Sequence, residues 1–385
     1  STKVEKIDWK QIQKRVWSTI DSEAMEIERG NKYAKNITVY KKSAQFIGHK
    51  SLMVDHEHIA AEKIFICAGT RPSIPEISGL DSVRYYTSDD IMRISKQPKK
   101  MVILGGGYVS TELGHFFSSL GTDVTFILRG NMLLKNEDGD ITRTFTDIVS
   151  RKYRVLFSTS INKISQRGKT IVMNITHNGK KNKLMCDTFL IAAGRIPNTD
   201  TLAVKQTGVK LTPQGFIEVN GYMETSVSGI WAIGDIAGKY MFKHSSNLEA
   251  SYCAHNAFNP KSKIKVDYSA MPHAIFTSPQ IAGVGYTEQE LKEKGISYKV
   301  GKYRYNNTGM GKAIEDNDGF VKVLVEPKTK KILGCHIIGY DASTLIHEVI
   351  VAMKANLTID DITRAVHVHP ALSEVVQRAF MSVRF

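Results

Sequence analysis

Several groups of residues in this 385-residue chain have types and spacing suited to chemistry. The first is Gly105-Gly106-Gly107-Tyr108-Val109-Ser110, a G-x-G-x-x-S pattern. Glycines at 105 and 107 permit a tight turn and let the backbone approach a pyrophosphate resting on a helix N-terminus. Ser110, at the third position, is small enough for close helix–strand packing. The loop follows an apolar run, Lys100–Leu104, and opens a helical pattern from Tyr108 to Leu120, with Val109, Leu113, Phe116 and Leu120 on one expected face. A second strand pattern follows at Val124–Leu128, completing a βαβ unit of about 30 residues. That context points to a dinucleotide site, the alternative being a plain βα turn. The ribose selector is expected about 20 residues past the loop. Arg129 stands there with no acid beside it, and with Lys135 it suits a 2′-phosphate. NADP(H) is therefore favoured over NAD(H); the alternative is an exposed arginine with no cofactor role.

Gly234-Asp235 closes a short apolar strand beginning at Gly229. A carboxylate at a strand end accepts bonds from polyol hydroxyls, though a turn aspartate reads the same way. Near the C-terminus stands His367-Val368-His369-Pro370-Ala371-Leu372-Ser373-Glu374. Pro370 suits a first helical turn, which puts His369 at the cap and Glu374 one turn in. A carboxylate there holds an imidazole in one tautomer and supports its cation, giving an acid–base dyad that works near neutral pH. Metal binding by His367 and His369 is a rival without a third ligand at a telling spacing, and a structural histidine cap is another. No metal site is expected.

The elements that position these groups begin with a helix from Trp9, where apolar residues at 9, 12, 16 and 20 have helical spacing. Strand-like pieces follow at Ile37–Tyr40, Ser43–Ile47 and Ser51–Val54. An apolar strand, Lys63–Ala68, then ends in Gly69-Thr70-Arg71-Pro72. The same strand-then-stop recurs at Phe189–Ala193 with Gly194-Arg195-Ile196-Pro197, suggesting two related units. Beyond about residue 266 the pattern changes. Phe320–Val325 and Ile332–Ile338 read as an antiparallel pair, Thr287 to Glu290 as a capping box, and Leu345, Ile346, Val349, Ile350 and Met353 as an apolar helix face. This is a separate α+β domain.

Composition narrows the classes. Apolar residues at 42% and charged residues at 23% exclude a disordered chain. No run of 18 apolar residues occurs, and no membrane partner is expected. Lys and Arg number 52 against 38 Asp and Glu, a net charge of +14, yet no block of five like charges and no aromatic-interleaved basic stripe appears. A solvated Lys-rich surface is expected rather than a nucleic-acid site; attraction of a phosphate-bearing cofactor or acidic partner is the alternative. Cys67, Cys186, Cys253 and Cys335 form no CxxC, C-x4-C or zinc spacing, which excludes a disulfide-stapled secreted scaffold and suits a cytoplasmic protein.

Six motifs now fall into one order: AGTRP, GGGYVSTE, AAGRIPNT, GIWAIGD, PHAIFTSPQIAGVG and HVHPALSE. Together they resemble the flavin-dependent pyridine nucleotide–disulfide oxidoreductases, the family of dihydrolipoamide dehydrogenase, glutathione reductase, mycothione reductase and mercuric reductase. The resemblance implies an α/β fold with two related Rossmann-like nucleotide-binding domains, FAD and NAD(P), and a C-terminal α+β dimerisation domain. The divisions would be 1–84 and 201–265 for FAD, 85–200 for NAD(P) and 266–385 for dimerisation, the FAD domain being incomplete. Asp235, with Gly234, Gly69 and Gly194 nearby, would hold FAD. Gly105, Gly107, Ser110 and Arg129 would hold NAD(P)H, and Glu112 would lie by the nicotinamide and flavin. His369, oriented by Glu374, would serve the site of a partner subunit in a homodimer.

Family members open with a further GxGxxG and a C-x4-C redox pair, and neither stands in these 385 residues. The sequence is therefore expected to be a fragment that does not catalyse disulfide chemistry alone. HVHPALSE resembles dihydrolipoamide dehydrogenase most, whereas the stretch from Ser88 through Leu128-Arg129-Gly130 to Leu134 resembles mycothione reductase. The expected substrate is a lipoyl group, or alternatively a low-molecular-weight disulfide. Further alternatives are an NAD(P)-binding dimer or a flavin NAD(P)H oxidase without disulfide chemistry.

Overall fold

Asp8 opens the first helix by accepting the Gln11 amide at 3.0 Å, the side-chain cap that an N-terminus needs. In the computed structural model, which describes residues 4–385, that helix runs from Trp9 to Tyr33, well past the Ile20 to which the apolar spacing extends. Its first half is tied to the segment 89–97. Trp9 Nε1 donates to the Ile94 carbonyl and Trp17 Nε1 to that of Met92, each at 3.0 Å. The Arg93 guanidinium lies 3.5 Å from the centre of the Trp17 ring and pairs with Asp21. No strand forms at Ile37–Tyr40, contrary to expectation: Ile37, Val39 and Tyr40 are all exposed, and no neighbouring strand covers them.

The chain divides into two compact units. The first comprises Ser1–Ser73, Asp89–Gln97 and Gly194–Val266. It holds an antiparallel meander of Ala44–Gly48, Ser51–Val54 and Glu57–Ala60. Ile64–Ile66 pairs in parallel with Ile230–Ala232, and Thr70–Pro72 pairs antiparallel with Arg195–Pro197. The two strand-stop turns noticed in the sequence are thus hydrogen-bonded to each other. Phe46, Ile66, Val204, Ile217, Ile230 and Ile236 form the core of this unit.

The second unit comprises Ile74–Ser88, Pro98–Ala193 and Asp267–Phe385. Its parallel sheet runs in the order Thr188–Ile191, Lys100–Leu104, Asp123–Ile127, Arg154–Leu156. Such strands are covered on both faces, which is why they read as continuous apolar runs. The crossover helix Tyr108–Ser119 turns a different face inward from the one expected. Ser110, Thr111, Gly114 and Phe117 are buried, while Val109, Leu113, Phe116 and Leu120 are only half-buried. Close approach decides this: a Cβ on Gly114 would stand 2.3 Å from the Phe126 ring, so small residues face the sheet.

A three-stranded meander, Thr159–Arg167, Thr170–His177 and Lys180–Cys186, lays Ile164, Met173 and Leu184 on the core. Exposed Lys163, Asn174 and Lys183 lie in register on its other face. Between residues 148 and 186 stand nine Lys and Arg and no Asp or Glu, so much of the net charge sits on this solvated surface.

The C-terminal part is a five-stranded antiparallel sheet in the order Pro272–Ile275, Gln280–Gly285, Ile332–Gly339, Phe320–Val325, Lys299–Arg304. Helices Ala342–Lys354 and Glu374–Met381 complete its core around Val323, Ile337, Ile346, Val376 and Phe380. Lys322 of this sheet is buried, with 1% of its side chain exposed. Its ammonium meets Asp138 at 2.8 Å, Glu288 at 2.6 Å and Asp140 at 3.2 Å. Burial alone would raise the carboxyls of Asp140 and Glu288, but the surrounding lysines outweigh it and hold both at about 2.

Replacing Lys322 by Met leaves Asp138 buried without its cation and should cost about 3–5 kcal/mol by urea unfolding at pH 7. Because these folded carboxyls are depressed, their contribution is full above about pH 4.5 and is lost as pH falls toward 2. Lys322→Met should therefore lose stability over that window less steeply than the parent. An equal slope would show that the cluster does not supply this pH dependence.

Candidate functional site

The glycine loop leaves the parallel sheet as the sequence indicates. Gly105 has φ +141° and a Cβ there would lie 2.2 Å from the Ala192 carbonyl oxygen, so only glycine fits. Gly107 faces open space, with nothing within 4 Å of the position its Cβ would take. It is also the cap of helix Tyr108–Ser119 and supplies no side-chain acceptor to that N-terminus. The result is a helix end whose first amides and dipole suit a phosphate, with room for one to approach. Ser110 is fully buried and donates to the Gly107 carbonyl at 2.7 Å. A Cβ on Gly106 would press on Leu128 and Leu133 at 3.1 and 3.3 Å, and Gly105 N donates to Ile127 O at 2.9 Å. The end of the second strand therefore lies against the loop, and Arg129 stands exposed just beyond it, as does Lys135.

Glu112, one turn further into the helix, accepts the Phe276 amide at 2.8 Å. Burial raises its carboxyl above the usual range, and that hydrogen bond offsets part of the rise. A second polar group at the helix start went unnoticed in the sequence. Tyr108 donates its phenol to Glu137, and Glu137 meets His273 Nε2 at 2.7 Å while the Tyr108 and His273 rings lie nearly parallel. Glu137 is 2% exposed; burial would raise its carboxyl, but the bond and charge of His273 prevail and lower it. The signal for this trio was faint because its members are 29 and 136 residues apart.

In the first unit three motifs converge. Asp235 accepts from Thr70 Oγ1 at 3.0 Å, and Arg195 Nε donates to that same hydroxyl at 2.6 Å while standing 4.0 Å from Asp235. Asn198 Nδ2 donates to Ala68 O at 2.8 Å, and Ser73 N donates to Gly194 O at 2.9 Å. Gly69 (φ +62°) has open space where its side chain would be. Gly234 (φ +74°) donates its amide to the fully buried Glu249 at 2.7 Å. Asp235 is thus a partly exposed acceptor held in place by a threonine and an arginine. Thr70, Arg195, Asn198 and Glu249 were not singled out from the sequence, although all but Glu249 lie inside motifs that were.

His369 and Glu374 meet, but not on the expected helix. Helix Glu374–Met381 begins at Glu374 after a Ser373 cap, so His369 is not the cap residue. Glu374 N and Val375 N bond back to Ala371 O and Leu372 O, three residues earlier, so a tight turn rather than a helix spans Pro370–Ser373. His369 Nδ1 nonetheless lies 3.0 and 3.1 Å from the two Glu374 oxygens, with Nε2 turned outward and the side chain 73% exposed. Glu374 also accepts the Ala371 amide at 3.2 Å. The hydrogen bond from His369 is the main cause that holds Glu374 below the usual carboxylate range. Among the described residues no group of three His, Cys, Asp or Glu is arranged to hold a metal ion, and no helix is long and apolar enough to cross a membrane. All four cysteines are free thiols. Cys186, Cys253 and Cys335 are buried, and burial pushes the first two up to about 12.

Residues 6–257 match the family described as pyridine nucleotide-disulphide oxidoreductase, and residues 271–380 match that family's dimerisation domain. The chain belongs to this family. A mycothione reductase of Mycobacterium tuberculosis is 36% identical over 99% of this chain and 84% of its own length. A dihydrolipoyl dehydrogenase of Trypanosoma brucei is 32% identical over 90% and 74%, and a mercuric reductase of Staphylococcus aureus is 31% identical over 92% and 66%. Among solved structures, the HOCl-induced flavoprotein disulfide reductase RclA from Escherichia coli superposes with a TM-score of 0.89 at 25% identity, covering 98% of this chain and 87% of that one. A pyridine nucleotide-disulphide oxidoreductase uses FAD and NAD(P)H, and the C-terminal domain marks the chain as one that forms homodimers.

The two loop glycines should respond differently to substitution. Gly105→Ala combines an unsuited φ with a backbone clash and should lower the Tm by about 5 °C or more. Gly107→Ala meets open space and should stay within about 1 °C of the parent. Equal losses by calorimetry would show that the open side of Gly107 is not open.

Proposed function

We propose that the chain serves an NAD(P)H-dependent flavoprotein that exchanges electrons with a small dithiol or disulfide, the proton being handled by His369 and Glu374. The observation that carries this reading is the dyad itself: an exposed imidazole with Nδ1 on a carboxylate and Nε2 free to face a thiol. Held so, the ring keeps one tautomer, and Glu374 stabilises its cation when a thiol gives up its proton. The same ring returns that proton when a thiolate leaves. His369 would present Nε2 to the site of the second subunit.

The residues present suit both nucleotides. Residues 1–84 and 201–265 would bind FAD, with Asp235 taking ribityl hydroxyls, Gly234, Gly69 and Gly194 allowing close approach, and Thr70 and Arg195 orienting Asp235. Residues 85–200 would bind NAD(P)H, with the pyrophosphate on the helix end at Gly105, Gly107 and Ser110, and Glu112 beside the nicotinamide. Arg129 favours a 2′-phosphate. The bound pair would supply the electrons, and the four free cysteines here form no reactive pair. Residues 266–385 would form the dimer interface. A cytoplasmic setting fits free thiols.

Between substrates, the extent of likeness to mycothione reductase and the Arg129 position favour a low-molecular-weight disulfide. A dihydrolipoyl dehydrogenase-like activity is the second reading, favoured by the HVHPALSE pattern.

Two measurements test this. His369→Gln in the full natural chain, loaded with flavin, should cut dithiol–disulfide turnover by about 100-fold or more while reduction of an artificial dye persists. Retained turnover would remove the dyad from the mechanism. For the cofactor, Arg129→Ala should weaken NADPH binding by about 10-fold or more and leave NADH nearly unchanged, as loss of a charged hydrogen bond predicts. Equal losses for both would take Arg129 out of the ribose site.

A further inference from the structure

The segment Val366–Pro370 carries His369, yet among the described residues it makes no backbone–backbone hydrogen bond. Val366 is 99% exposed and Val368 is 73% exposed, so neither fastens the segment to its own chain. His367 does. Its side chain is 9% exposed and points the other way. Nδ1 lies 3.1 Å from the Ala365 carbonyl oxygen, which also accepts Gln377 Nε2 at 2.9 Å. Nε2 lies 3.1 Å from Oε2 of Glu348 on helix Ala342–Lys354.

Both ring nitrogens are therefore committed, and this removes His367 as a metal ligand alongside His369. A ring that donates from Nδ1 to a carbonyl faces the carboxylate with Nε2, so the pair shares a further proton, on Nε2 or on Oε2. The other Glu348 oxygen is buried with no partner. Burying a carboxylate in that way opposes folding, so the pair is better explained by what it holds than by stability.

We propose that His367, fastened to Glu348, is the positioning residue of the acid–base dyad, anchoring the segment from which His369 presents Nε2. The inference rests on the reading of His369 and Glu374 given above. Glu374 sets the tautomer of His369, and His367 sets where the ring stands. Without the anchor, the segment loses its tie to helix Ala342–Lys354, and the His369 ring shifts against Glu374.

The test compares His369→Gln, His367→Ala and His367→Gln in the full, flavin-loaded chain, with dimer content checked by sedimentation. If dithiol turnover in His367→Ala falls by about 100-fold in kcat with KM nearly unchanged, the anchor positions the proton carrier, since a 1 Å misplacement has an effect of that order. His367→Gln, whose amide still reaches Glu348, should recover most of that loss. A wild-type kcat in His367→Ala, while His369→Gln is inactive, overturns the anchor and leaves the dyad standing. Full activity in His369→Gln overturns both. A crystal structure of His367→Ala supplies a readout independent of turnover: a displaced Val366–Pro370 segment is expected, and an unmoved one overturns the proposal.

Discussion

A buried ammonium must find anions, and in the second unit that requirement organises much of the rest. Lys322 lies in the middle of an apolar sheet strand and is matched by Asp138, Asp140 and Glu288. Asp138 caps the helix Gly139–Lys152, and Glu288 opens another, so one cation fixes two helix starts against the five-stranded sheet. Fixing Asp138 also fixes its neighbour Glu137, which holds Tyr108 and His273. Tyr108 is the first residue after the glycine loop. A polar spine thus runs from the C-terminal sheet to the start of helix Tyr108–Ser119. Buried ion pairs of this kind contribute little net stability when intact but are severe when broken. Their value here lies in register.

The first unit solves a related problem with fewer charges. Asp235 is held partly exposed, with Thr70 donating to it and Arg195 standing close by. Thr70 and Arg195 sit on the two short strands that pair antiparallel, opposite Pro197 and Pro72, and the Arg195 side chain reaches along the pair to bond Thr70. The repeated strand-stop motif therefore has a mechanical meaning that repetition alone does not convey.

What the sequence made legible were features whose partners are near in the chain. The glycine loop, the parallel strands, the Thr287–Glu290 capping box and the antiparallel pair at Phe320–Val325 depend on residues within one or two elements. Spacing located His369 beside Glu374, five residues on, even though it misjudged where the helix starts. Two failures share one cause. Ile37–Tyr40 has strand-forming residues but no neighbouring strand, and β propensity expresses a fit to neighbours rather than a backbone preference. The inward face of Tyr108–Ser119 is set by the bulk of Phe126 on the sheet, so small residues rather than the largest apolar ones face it. The burial of Lys322 was likewise not legible, since its partner Asp138 stands 184 positions away.

The two histidines of HVHPALSE show where local reading stops. Both meet a glutamate, and the sequence gives them almost the same surroundings. His369 finds its partner within the motif and remains exposed, whereas His367 finds Glu348 on helix Ala342–Lys354 and is largely covered. Side chains at adjacent odd positions of an extended segment tend to share a face. Here the two rings instead meet different glutamates, His367 reaching Glu348 and His369 reaching Glu374. Two residues apart in the chain, one ring is left open to solvent and the other is held between the Ala365 carbonyl and Glu348.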